Sequence, residues 1–150
     1  MGTLLEAVRA TGHEAFVADT APLVYRVERR AVPALTAACD PLFDATEAGQ
    51  IACLVSAVSV AELLIVPFRA GAAAVSSIDA FLRQPSFGII ETGLPVAREA
   101  ARLLALGRLH RLADALIAAS AIAVGLPLVT NDRRLARADL PNVFLVADFV

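Results

Sequence analysis

A chain of 150 residues has the length of one compact domain, enough to bury a core without disulfides or a structural metal. Its hydrophobic fraction of 58% and charged fraction of 19% lie above and below the roughly 45–50% and ~25% of ordinary globular domains, which excludes a disordered chain. A formal net charge of −2 argues against a protein that binds polyanions through bulk positive charge.

Apolar residues in this excess imply that another chain covers part of the surface, because monomers rarely expose large apolar patches. The longest apolar stretch, Ile51 to Phe68, nearly reaches membrane-spanning length but contains Glu62, with Ser56, Ser59 and Pro67 besides. A carboxylate at mid-membrane costs several kcal/mol, so the stretch is expected to be buried core. The N-terminus has no cationic region followed by an apolar run and a small-residue cleavage site, which predicts a cytoplasmic protein. Cys39 and Cys53 have no CxxC spacing and no histidine nearby, and are expected to be free, buried thiols rather than a disulfide.

In chain order, residues 1–14 form an amphipathic or frayed extension, and the whole of 1–150 is expected to be a single domain. Ala15 to Ala18 is a short apolar strand ending at Asp19, and Thr20 and Pro22 open a helix. A helix from about Val32 to Ala48 stops at Gly49, and Ile51 to Val55 follows as a second strand. Ser59 to Phe68 is helical and is expected to stop near Pro67. Ala72 to Arg83 forms another helix, and Phe87 to Ile90 a third strand. Pro95 to Leu106 is an amphipathic helix, Gly107 punctuates it, and a helix from Leu112 to Val124 ends at Gly125 and Pro127. Leu126 to Val129 is a strand; Thr130, Asn131 and Asp132 form a turn and cap; a short helix covers Arg133 to Ala138; Val143 to Val146 closes as a strand. Short strands, apolar on both faces and alternating with helices, predict an α/β fold of three layers, α/β/α, around a parallel sheet.

Four carboxylates stand out. Asp19 and Asp132 each follow a strand directly, and Glu62 lies about one and a half helical turns beyond another. In open parallel α/β sheets, ligands bind outside the carboxyl ends of the strands, so these three can converge. Asp114 stands in the first turn of an otherwise apolar helix, where an unpartnered carboxylate is costly. Each position also has a plainer explanation: Asp19 and Asp132 suit helix caps, and Glu62 and Asp114 could be buried partners of arginine. Carboxylates without His or Cys suit Mg²⁺ or Mn²⁺ rather than zinc. Setting those four aside as ligands leaves the 13 basic residues, all arginine, in excess of the remaining acids. Arg108, Arg111, Arg133, Arg134 and Arg137 cluster in the last third, and Arg111, Arg133 and Arg134 are candidate RNA contacts, since guanidinium pairs bidentately with phosphate. No Gly-rich phosphate loop and no GxSxG elbow is present. The histidines, His13 and His110, are assigned no role, and Tyr25 and the phenylalanines are taken as core.

These segments resemble a PIN domain, in particular the VapC-type toxins of type II toxin–antitoxin systems. The resemblance rests on Val17-Ala18-Asp19-Thr20, on Ser56-Ala57-Val58-Ser59-Val60-Ala61-Glu62-Leu63, on Arg111-Leu112-Ala113-Asp114 running into Ala115-Leu116-Ile117-Ala118-Ala119-Ser120-Ala121, and on Leu128-Val129-Thr130-Asn131-Asp132. It implies a Mg²⁺-dependent endoribonuclease, with Mn²⁺ as an alternative ion. Asp19, Glu62, Asp114 and Asp132 would form the catalytic and metal-binding cluster, with Ser59 and Thr130 in support. The products would be a 5′-phosphate and a 3′-hydroxyl. It further implies a cognate antitoxin and a homodimer. The chain departs from the family at Ala21, where Ser or Asn is frequent, and in its long segment before Asp19. Two other readings compete: a catalytically silent PIN-like module that binds RNA or a protein, and a small-ester phosphatase. The phosphatase would need a second Asp two residues after Asp19, where Ala21 stands.

Overall fold

The computed structural model describes residues 2–150. Five strands, β1 (Ala15–Ala18), β2 (Ala52–Ser56), β3 (Phe87–Ile90), β4 (Leu128–Thr130) and β5 (Val143–Leu145), form one sheet in the order β3-β2-β1-β4-β5. Every pairing is parallel, as expected for strands apolar on both faces. The helices are α1 (Leu4–Ala10), α2 (Thr20–Val27), α3 (Pro33–Glu47), α4 (Ala57–Ala70), α5 (Ala72–Leu82), α6 (Leu94–Ala105), α7 (Leu112–Val124) and α8 (Arg133–Ala136), and a 3₁₀ turn covers Val146–Phe149.

Side chains alternate across each strand, and the sheet therefore divides two cores. Phe16, Ala18, Cys53, Val55 and Val129 pack with α1 to α5 on one face. Val17, Leu128 and Ile90 pack with α6, α7 and α8 on the other. Cys39 and Cys53 are free and buried in the first core, as expected, and burial pushes the Cys39 thiol up to about 12. The segment before β1 contributes the helix α1 with a reciprocal cap: Thr3 N–H donates to Glu6 Oε2 at 2.7 Å, and Glu6 N–H donates to Thr3 Oγ1 at 3.2 Å. Its Leu4 and Val8 are fully buried.

An ion-pair network locks α2 to α3. Arg26, with its side chain only 12% exposed, donates to Asp40 at 2.8 Å, to Asp44 at 2.9 Å and to Glu47. Arg29 donates to the second oxygen of Asp40 at 2.7 Å. The Arg29 hydrogen bond, followed by that of Arg26 against the opposing effect of burial, holds the Asp40 carboxyl below the usual aspartate range.

Three expectations need correction. α4 does not stop near Pro67 but runs to Ala70; the proline lies in the last turn, where its missing N–H costs one bond, and Gly71 N–H closes the end on Pro67 O at 3.0 Å. The stretch Ile51 to Phe68 is not buried throughout: Ile65, Val66 and Phe68 are 50%, 60% and 68% exposed, because only one side of α4 faces the sheet. β4 begins at Leu128 and takes in Thr130, which was expected in the turn. Among the described residues, no helix is long and apolar enough to cross a membrane.

Candidate active site at the carboxyl end of the sheet

β1 is the strand from which the chain first winds one way, through β2 to β3, and then returns to lay β4 on the other side. The carboxyl ends of β1 and β4 therefore flank the switch point, where open α/β sheets place their ligands. Asp19 follows β1 and Asp132 follows β4 by two residues, so both candidates stand at this crevice.

Asp19 is held from three directions. Its N–H donates to Val129 O at 2.9 Å, its Oδ1 accepts from Thr20 N–H at 2.7 Å and its Oδ2 accepts from Thr130 Oγ1 at 2.8 Å. It is only 9% exposed, and burial raises its pKa against the lowering effect of those two hydrogen bonds. The charges of Glu62 and Asp114 push it further up, so both carboxylates lie within electrostatic reach.

Thr20 and Thr130 tie the cluster together. The Thr20 hydroxyl donates to Glu62 Oε1 at 2.8 Å, so one residue holds Asp19 through its backbone and Glu62 through its side chain. Thr130 Oγ1 donates to Asp19 and accepts from Asp132 N–H at 2.9 Å, which fixes the two aspartates against each other. Asp114 enters from the first turn of α7; burial raises its pKa, and the nearby Asp132 raises it further. The hydrogen bond from Arg134 pulls Asp132 the other way.

The plainer explanations hold in part. Asp19 and Asp132 are indeed N-caps, of α2 and α8, yet each carboxylate has a second oxygen engaged elsewhere in the crevice. Arginine pairing describes Asp114, 3.9 Å from Arg134, but not Glu62, which is exposed and bonded to Thr20. Ser59, one helical turn before Glu62 on α4, has a fully buried Oγ with no hydrogen-bond partner. Of the arginines singled out, Arg111 and Arg133 are exposed beside α7 and α8, while Arg134 folds over Asp132. Among the described residues, no three acidic, histidine or cysteine side chains stand as placed in a group that holds an ion.

Two contributors escaped the sequence. Thr20 opens α2 by its place in the sequence, and its hold on both Asp19 and Glu62 comes only from the fold. Asn131 donates through Nδ2 to the Tyr25 hydroxyl at 3.1 Å and accepts from Ala147 N–H at 3.0 Å, anchoring the turn that carries Asp132. An amide directly before a candidate ligand was the available signal.

A family model described as PIN domain matches residues 18–140. The chain belongs to the PIN-domain family. Nuclease activity is typical of that family, and its members generally use divalent metal ions. Among solved structures, the fold is similar to a chain of the FitAcB crystal structure from Neisseria gonorrhoeae, with a TM-score of 0.67 and 23% identity over 88% of this chain and 98% of that one. It is also similar to a chain of a toxin-antitoxin complex from Klebsiella pneumoniae (TM-score 0.67, 21% identity, 87% and 97% covered). A third is in VapBC2 from Rickettsia felis bound to a DNA fragment from its promoter (TM-score 0.66, 23% identity, 87% and 96% covered). No curated protein matches the chain.

Proposed function

We infer that this PIN domain is a Mg²⁺-dependent endoribonuclease that hydrolyses RNA phosphodiester bonds and acts as the toxin of a toxin–antitoxin pair. The observation that carries the reading is the buried Asp19 at the switch point, tied through Thr20 to Glu62 and through Thr130 to Asp132, with Glu62 and Asp114 near enough to raise its pKa beyond the effect of burial. A carboxylate whose pKa is raised first by burial and then further by acidic neighbours is a group that a cation stabilises.

The donor set fits a hard divalent ion: carboxylate oxygens with no thiolate or imidazole. The orphaned Ser59 hydroxyl fits as well, since a buried hydroxyl without a partner costs about 1–3 kcal/mol and a bound ion's hydration shell would offer it a partner. Asp19, Glu62, Asp114 and Asp132 would hold the ion, which supplies Lewis-acid stabilisation of the phosphate and an acidified water. The chain's own part is positional. Thr130 and the Thr20 N–H fix Asp19, the Thr20 hydroxyl aims Glu62, and Thr130 sets Asp132. Arg111 and Arg133 place positive charge at the rim for the RNA backbone.

The neighbours' assembly with antitoxins supports a cognate antitoxin here. Ile65, Val66 and Phe68 on α4, with the exposed Leu94 and Leu112, offer apolar surface for it and for a second copy of the chain in a homodimer. The protein would act in the cytoplasm as one domain spanning 1–150. The separation of the carboxylates as placed favours the second reading, a silent PIN-like module that binds RNA or a protein.

The test is incubation of purified protein with a mixed set of structured RNAs and Mg²⁺ or Mn²⁺, beside EDTA and the Asp19→Asn and Asp114→Asn variants. Discrete fragments are expected, lost in all three controls beyond the roughly 10–100-fold typical of outer-shell substitutions. Metal binding without cleavage of any RNA would favour the silent module.

A further inference from the structure

Arg134 is in the first turn of α8, and its side chain turns back onto the residue that caps the same helix. Its Nε lies 3.1 Å from Asp132 Oδ1 and its Nη2 2.8 Å from Asp132 Oδ2, a two-pronged pairing. The same Nη2 is 3.9 Å from Asp114 Oδ2. One guanidinium nitrogen therefore bridges two of the four carboxylates. The side chain is 54% exposed, and among the described residues its ion pairs are with these two aspartates.

Lone pairs sharpen the point. Asp132 Oδ1 also accepts the Arg134 backbone N–H at 2.8 Å, so with Nε it has two donors, the full capacity of a carboxylate oxygen. An ion approaching Asp132 meets one oxygen already filled and another paired to a cation. Any divalent ion also meets the repulsion of that cation, felt at Asp114 as well.

We propose that Arg134 is an intramolecular competitor for the divalent ion: its guanidinium occupies Asp132 and Asp114 and must swing out before an ion takes them. The inference rests on the reading of the carboxylate cluster as a metal site. Its exposure makes the swing possible, because the head loses no buried partner and gains water. The opposite role, Arg134 orienting Asp132 for the ion, predicts a change of opposite sign when the arginine is removed.

The experiment is a Mn²⁺ titration by calorimetry at low ionic strength, on wild-type protein and on the Arg134→Gln, Arg134→Lys and Asp19→Asn variants. Arg134→Gln is expected to bind Mn²⁺ about three- to tenfold more tightly, with the gain shrinking as salt rises, and Arg134→Lys to fall between. Mn²⁺ affinity unchanged or weakened in Arg134→Gln, while wild type binds and Asp19→Asn does not, overturns the competitor and leaves the metal site standing. Absence of Mn²⁺ binding in wild type and Arg134→Gln alike overturns both.

Discussion

Two arginines of this PIN domain face clustered acids in opposite ways. Arg26 is nearly buried and shared among Asp40, Asp44 and Glu47, whereas Arg134 is half exposed and paired with Asp132 near Asp114. The chemistry is the same; what differs is how many partners hold the cation and whether water can replace them. A buried charge with three acceptors has nowhere to go and acts as a bolt between α2 and α3. An exposed one on two acceptors is exchangeable, the property a site needs where an ion has to enter.

The comparison predicts the largest effect at the bolt. Arg26→Ala leaves three acids facing one another with only Arg29 nearby and should destabilise the fold by about 2–3 kcal/mol, somewhat below the loss for a fully buried pair. Urea unfolding at neutral pH measures it, and a shift within error would show that the network is ornamental. Thr130→Val keeps the shape but strips a donor from Asp19 and an acceptor from Asp132 N–H, for a loss of about 1–2 kcal/mol by the same method.

Acid sharpens the contrast next. Asp40 has a lowered folded pKa, so the stability it contributes is present above its unfolded value and disappears as pH falls through the lower folded one. Urea midpoints followed downward from about pH 5 should therefore decline, and less steeply in Asp40→Asn. The smallest effect is expected at Arg134: Arg134→Gln should leave the neutral-pH urea midpoint in place, so that a large drop would make it a second bolt.

Much of this was legible in the chain itself. β3 and α7 fall where apolar runs bounded by Gly and Pro put them, and Asp19 and Asp132 stand past the carboxyl ends of β1 and β4 because each follows an apolar strand run. What the sequence hid were relations between distant residues. Nothing in the spacing says that Arg134, paired with its own cap two residues away, also comes within 3.9 Å of Asp114 on α7. Tyr25, taken as core, is half buried with its hydroxyl on Asn131, a pairing across 106 positions that no local pattern encodes. The exposure of Ile65, Val66 and Phe68 was equally invisible, since apolar character states that a residue is to be covered without saying by what.

The hydrogen bond between Thr130 and Asp19 joins residues 111 positions apart. On a ribosome working from the N-terminus, Asp19, Glu62 and Asp114 are all made before β4, so the strand pairing that closes the crevice has to wait until residues 128–130 have been added. Contacts of such long range also form slowly even in a finished chain. A growing chain that stops short of β4 thus carries three of the four acids without the strand that supplies Thr130 to Asp19.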